Sequence, residues 1–214
     1  MMGMSENTIV IGLTGQSGAG KTTVCEVFEE NGYDIVNADL IAREVTAPGS
    51  PCLGELAECF GDEIIDEKGG LNRRALADIV FNDEERLKQL NGITYPYITY
   101  EILRIIKMLS CKSSEGRGYV LLDAPTLFES RADDFCDLII SVTATEKNRS
   151  RRIFERDGLS DEQIKGRFSS QRSERFFINR SDFIIKNNKS IDALKEKAKE
   201  VSDKIKEYYE AEKP

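Results

Sequence analysis

Residues 15–22 read Gly-Gln-Ser-Gly-Ala-Gly-Lys-Thr, which is the spacing G-x-x-x-x-G-K-[ST] of a phosphate-binding loop. Gly15, Gly18 and Gly20 carry no Cβ, so the backbone can turn tightly and crowd its N–H groups around a polyphosphate. On this reading Ser17, Ala19 and Thr23 also line the nucleotide. Lys21 supplies a point charge for the β- and γ-phosphates, and the Thr22 hydroxyl is a ligand for Mg²⁺. The plain alternative is a glycine-rich turn with Lys21 as an ordinary surface lysine. The flanks argue against it, because an apolar, β-branched run (Thr8 to Thr14) precedes the loop and a helical pattern with Val24, Val27 and Phe28 on one face follows. The loop specifies a nucleoside triphosphate and leaves open what becomes of its phosphate.

Two acids stand where such chemistry needs them. Asp39 ends a predicted second strand (Tyr33 to Asp39), and in open α/β sheets ligands lie beyond the carboxyl ends of the strands. Asp39 is equally suited to cap a helix starting at Leu40. Asp123 ends the apolar run Gly118 to Asp123, which has the form of a Walker B strand, so it is a second candidate for holding Mg²⁺, through water. An arginine-dense stretch follows, with Arg149, Arg151, Arg152, Arg156, Arg167 and Arg172. Arg149, Arg152 and Arg156 share a helix face at spacings of three and four. That face suits a lid over a phosphoryl group, although interspersed acids also fit a solvated charged helix.

The elements that position these residues alternate between strand and helix, which argues for a parallel sheet with helices on both faces. Further strands are expected at Asp137 to Val142 and Asp182 to Ile185. Between the second and third strands lie some seventy residues of helical pattern, too many for an ordinary crossover. Asn72 and Asp83 are N-cap signals there, and Pro96 punctuates the chain before a helix running to about Leu109. Ile191, Leu194, Ala198, Val201, Ile205 and Tyr208 make a long amphipathic last helix, expected to pack back on the sheet. The predicted architecture is an α/β P-loop kinase of three αβα layers around a five-stranded parallel sheet. Its core is 7–39, 118–145 and 182–214, its helical acceptor-binding insert 40–112 and its lid 146–172, all within one domain.

Bulk properties narrow the partners. The 214 residues carry a net charge of −8 and no long Lys/Arg block, so nucleic acid is not an expected partner. The absence of histidine excludes His-based acid/base chemistry and most zinc sites. Five scattered cysteines without C-x-x-C look like free thiols of a reducing compartment. No apolar run has transmembrane length, and a cytoplasmic protein with a disordered start at Met1 to Glu6 is expected.

The base-reading N-K-x-D of GTPases is missed by one residue at Asn188-Lys189-Ser190-Ile191-Asp192, and a motor or transporter ATPase would be larger. The ordered motifs resemble the dephospho-coenzyme A kinase family over nearly the whole chain. Ile11 to Thr23 is similar to its opening strand and loop, and Asn37-Ala38-Asp39-Leu40-Ile41-Ala42-Arg43 to its D-A-D-x-I-A-R. Ala47 to Pro51, Phe60 to Leu76, Pro125 to Glu129, Arg152 to Ser160, Gln171 and the stretch from Asp182 to Asn187 match its later segments in order. The chain departs from the pattern at Tyr95, where the family has His, and at Asn37 and Lys186, where acids are commoner.

The resemblance implies ATP-dependent phosphorylation of the ribose 3′-hydroxyl of dephospho-coenzyme A, with Mg²⁺, by a monomer or weak homo-oligomer. It implies that Asp39 orients the hydroxyl, that Lys21, Arg152 and Arg156 act on the phosphates, and that Asn187 joins the nucleotide site. Arg43 and Arg73 or Arg74 are then candidates for the acceptor's pyrophosphate, against an alternative role in helix salt bridges. Another small-molecule or nucleotide kinase, or a non-catalytic nucleotide-binding protein, are the alternatives.

Overall fold

A computed structural model describes residues 8–80, 83–112 and 117–211. The expected disordered start lies outside the described residues. The first strand, β1 (Thr8–Gly15), is buried along its whole length. A strand that offers no polar face to water belongs in the middle of a sheet covered on both sides. The sheet order is β2-β3-β1-β4-β5, with β2 at Asp34–Asn37, β3 at Gly118–Asp123, β4 at Leu138–Thr143 and β5 at Phe183–Lys186. The sheet is parallel, and β1 lies between β3 and β4, in register Leu13↔Asp123 on one side and Gly15↔Val142 on the other. The loop after β1 therefore leaves the sheet at its centre, beside the last residue of β3.

Two compact units make up the chain. One comprises residues up to Val36 and from Leu109 onward. Its core joins Ile11, Leu13, Leu121, Ile140, Val142 and Ile185 of the sheet to α1 (Lys21–Glu30) and α9 (Ile191–Ala211). The last helix buries Leu194, Ala198, Val201 and Ile205 against α1 and β5, as its spacing predicts. Ile191 and Tyr208, at the ends of the same apolar row, are 60% and 58% exposed. Ser202 fixes the contact: its hydroxyl accepts from Asn31 Nδ2 (3.1 Å) and its carbonyl from the Tyr33 hydroxyl (3.1 Å).

The other unit, 37–108, is helical. It holds α2 (Ala38–Glu44), α3 (Pro51–Phe60), α4 (Arg73–Val80) and most of α5 (Glu84–Lys112). Cys52, Leu56, Phe60, Ile64 and Leu76 form its core. The predicted caps are present: Asn72 Oδ1 accepts from Ala75 N (3.1 Å) and Asp83 Oδ1 from Arg86 N (3.0 Å).

Strands β4 and β5 each begin and end one residue later than the sequence reading has them, and two other differences are larger. The second strand stops at Asn37, because the Asn37 side chain accepts from Leu40 N (3.0 Å) and starts α2 there. Asp39 is accordingly in the first turn of that helix and is not its cap. Pro96 does not break the chain but lies inside α5, whose 29 residues continue on both sides of it. A proline there costs the bond to the carbonyl four residues back, and that residue is Gly92, around which a side chain would meet nothing within 4 Å. Among the described residues no helix is long and apolar enough to cross a membrane.

Candidate active site

The phosphate loop takes its shape from its glycines. Gly18 and Gly20 have φ of 74° and 106°, which L side chains rarely adopt. A Cβ on Gly18 would stand 2.8 Å from the Arg149 carbonyl oxygen, and one on Gly20 would overlap the Asn187 side chain. Gly20 is also the N-cap of α1 and has no side chain to satisfy the first amides of that helix. Those amides and the positive end of the helix dipole remain available to an anion. The Lys21 ammonium donates to the Gly15 carbonyl across the loop (3.0 Å). Thr22 is exposed on the first turn of α1.

Behind the loop, Asn187 and Arg152 form a brace. Asn187 follows β5, its backbone N–H donates to the Thr143 carbonyl (2.8 Å), and its Nδ2 donates to the Ala19 carbonyl (2.8 Å). Arg152, on α6 (Glu146–Asp157), donates to the Gly18 carbonyl (3.3 Å) and twice to Asn187, at its carbonyl (3.1 Å) and its Oδ1 (3.0 Å). Burial holds the Arg152 guanidinium below its ordinary range, with Arg151 acting the same way. The structure thus brings together Gly15, Ser17, Gly18, Ala19, Gly20, Lys21, Arg152 and Asn187. Asp123 is the last residue of β3, and its carboxylate acts electrostatically on the Cys25 thiol of α1. That thiol is pushed up to about 12, first by burial and then by Asp123, with Lys21 opposing. Cys25 therefore senses both Lys21 and Asp123.

Arg156 is placed differently from Arg152. It forms a two-pronged pair with Asp157 (2.7 and 2.8 Å), and Arg167 of α7 (Asp161–Ser169) donates to the same carboxylate at 2.8 Å. Asp157 is held down at about 2, chiefly by the Arg156 hydrogen bonds and then by Arg167. Gly158, at φ 64°, ends α6, and a Ser160/Gln163 capping box starts α7. The joint between the two arginine-bearing helices is therefore well defined.

Two further groups, Gln171 and Arg149, lie beside the loop. Gln171 Oε1 accepts from Ser17 N (3.2 Å) and from Arg149 Nη1 (3.4 Å). Arg149 is buried, with its guanidinium 4.0 Å from the centre of the Phe168 ring. Arg149 was legible as part of an arginine face, but helical spacing does not tell which arginine of a face points inward.

In the helical unit Asp39 and Arg43 are exposed on α2, at its first and last turns. Arg73, at the start of α4, donates to Thr46 Oγ1 (3.0 Å), and Arg74 is exposed beside it. Among the described residues none of Arg43, Arg73 and Arg74 forms an ion pair with an acid. The same unit carries a groove of about 590 Å³ lined by Glu44, Val45, Pro51, Tyr97, Tyr100 and Arg104, among others.

Similarity to known proteins agrees with this geometry. Residues 9–193 match the model of the dephospho-CoA kinase family. A dephospho-CoA kinase of Corynebacterium glutamicum is 38% identical over 195 residues, covering 91% of this chain and 98% of that one. The crystal structure of TT1252 from Thermus thermophilus superposes with a TM-score of 0.78 at 31% identity, covering 94% of this chain and 99% of the other. The dephospho-CoA kinase of Campylobacter jejuni superposes with a TM-score of 0.61 at 25% identity, over 92% and 97% of the two chains. With a phosphate loop on the central strand, an arginine brace behind it and a family match spanning nearly all of the described structure, the chain belongs to the dephospho-CoA kinase family.

Proposed function

We propose that the protein transfers the γ-phosphoryl group of ATP to the ribose 3′-hydroxyl of dephospho-coenzyme A, giving coenzyme A and ADP. The observation that carries this reading is the glycine loop feeding the uncapped N-terminus of α1, with Lys21 at its mouth. In the reaction a bond forms between the 3′-oxygen and the γ-phosphorus. The bond from that phosphorus to the β–γ bridging oxygen breaks, and ADP leaves. Little covalent work is left to the protein, so catalysis is positioning and charge stabilisation.

Loop amides and Lys21 hold the β/γ region, Arg152 and Asn187 keep the loop in shape, and Arg152 and Arg156 of the lid (146–172) act on the phosphates. Asp39 accepts a hydrogen bond from the 3′-hydroxyl and takes its proton late in the transfer. Thr22 and Asp123 offer hydroxyl and carboxylate oxygens, the donor class that magnesium takes. Thr22 and Asp123 are the residues that would hold the ion; among the described residues no cluster of three acids, cysteines or histidines is present. When bound there, magnesium would neutralise part of the phosphate charge.

The helical insert (40–112) binds the acceptor. Arg43, Arg73 and Arg74, without acidic partners among the described residues, are available to its pyrophosphate. The tyrosine- and carboxylate-lined groove suits the neutral, amide-bearing arm. We further place the enzyme in the cytoplasm, as a monomer or weak homo-oligomer. The test is ADP release from purified protein with magnesium and ATP, with and without dephospho-coenzyme A, and the product identified by mass. ADP formed only with that acceptor, together with coenzyme A, is expected. Folded protein that binds ATP and is not stimulated by this acceptor would overturn the assignment.

A further inference from the structure

Arg149 lies on α6, three residues before Arg152, where the lid signature of the family begins. It is 5% exposed. A guanidinium keeps its charge at any pH a protein meets, and a buried charge is costly unless an opposite charge pairs with it. Among the described residues Arg149 forms no ion pair, and its Nε has no hydrogen-bond partner. One nitrogen reaches the Gln171 oxygen and the flat face rests on Phe168. Burial lowers its proton affinity, with Glu146 and Glu174 only partly opposing this. The protein has thus placed a cation out of water without supplying its counter-ion.

The surroundings indicate what that counter-ion is. The Gln171 oxygen that receives the Arg149 hydrogen also receives the Ser17 amide hydrogen of the phosphate loop. The Arg149 backbone is packed against Gly18 so closely that a methyl group there would not fit. The charge is therefore built into the wall of the loop. Arg152 and Arg156, by contrast, have carbonyl or carboxylate acceptors.

We propose that Arg149 is a fixed cation of the nucleotide site: the terminal phosphate of ATP balances its charge, and Gln171 and Phe168 hold it in place. It acts through its field and is a binding and positioning residue, not a catalytic one. The inference rests on reading residues 15–22 as the ATP site.

Its consequence is a pair of effects with opposite signs. Taking the charge away should leave the nucleotide-free protein as stable or more stable, while weakening ATP. A residue that merely packs would do the reverse. Arg149→Met keeps length and apolar contact with Phe168. Gln171→Glu is nearly isosteric, can still accept from Ser17, and supplies an internal counter-ion. Thermal midpoints without ligand, and dissociation constants for magnesium–ATP and for adenosine, are to be measured by calorimetry on the full chain. For both variants the expected midpoint is at or above wild type, the ATP dissociation constant rises about tenfold or more, and adenosine binding is unchanged. A lower midpoint with unchanged ATP affinity in both variants would overturn the proposal, as would unchanged ATP affinity in Gln171→Glu alone. If wild type itself fails to bind magnesium–ATP, the kinase reading falls and this inference falls with it.

Discussion

The Lys21 ammonium rests on the Gly15 carbonyl at 3.0 Å, so one residue closes the loop and also holds the charge meant for the phosphates. Lys21→Ala removes a preorganised donor at the place where charge develops, and the expected loss in kcat is about 10²–10³-fold. The loop glycines and the brace of Arg152 and Asn187 are untouched, so the far-ultraviolet dichroism should match wild type. Asp39 is tested separately. It is exposed and Asn37 caps its helix, so Asp39→Asn should fold normally. Loss of a general base is expected to lower kcat about 10²–10⁴-fold with little change in KM for ATP. Full activity in steady-state assays of either variant would remove that residue from the mechanism. The place and shape of the loop were legible in the sequence, because a loop motif is local. Which arginine is buried was not legible. That depends on contacts between positions 149, 168 and 171 and the loop, all remote from it in sequence.

Elements were legible where their signals are local. Strand β3 coincides with its apolar run, and Asn72 and Asp83 cap the helices that their types predict. Pro96 misleads because packing decides. Tyr97 and Ile93 on either side of it lie against the helical core, and this burial carries α5 past one missing hydrogen bond. The joint between α6 and α7 gives the element-scale prediction. Asp157 bridges Arg156 and Arg167, and its folded value of about 2 lies below the ordinary carboxylate value near 3.9. A depressed carboxylate contributes stability above its unfolded pKa and loses it as pH falls through the folded one. The thermal midpoint of wild type should therefore exceed that of Asp157→Asn at pH 7, and the gap should close between about pH 4 and pH 2. The pairing is exposed, so added salt should shrink the gap at neutral pH. A gap that is constant with pH would mean that the ion pairs contribute nothing to the joint.

At the scale of the molecule, the net charge of −8 works against two anionic substrates, so their binding depends on local devices rather than on the overall field. The chain divides these devices between its two compact units, each with its own apolar cluster. The phosphate loop, its brace and Arg149 belong to the first unit, and the three insert arginines and the tyrosine-lined groove to the second. If nucleotide and acceptor bind separate units, each should protect its own. A ligand at one hundred times its dissociation constant stabilises what it binds by about 2.7 kcal/mol, which slows amide exchange through that opening about a hundredfold. Amide exchange followed by mass spectrometry can resolve this by segment. A non-hydrolysable ATP analogue with magnesium should slow exchange in residues 15–30 and around Asn187, and leave residues 52–80 unchanged. Dephospho-coenzyme A alone should slow exchange in 40–104. Protection of 52–80 by the nucleotide analogue alone would show that the helical unit takes part in nucleotide binding. The division of labour between the units would then be overturned.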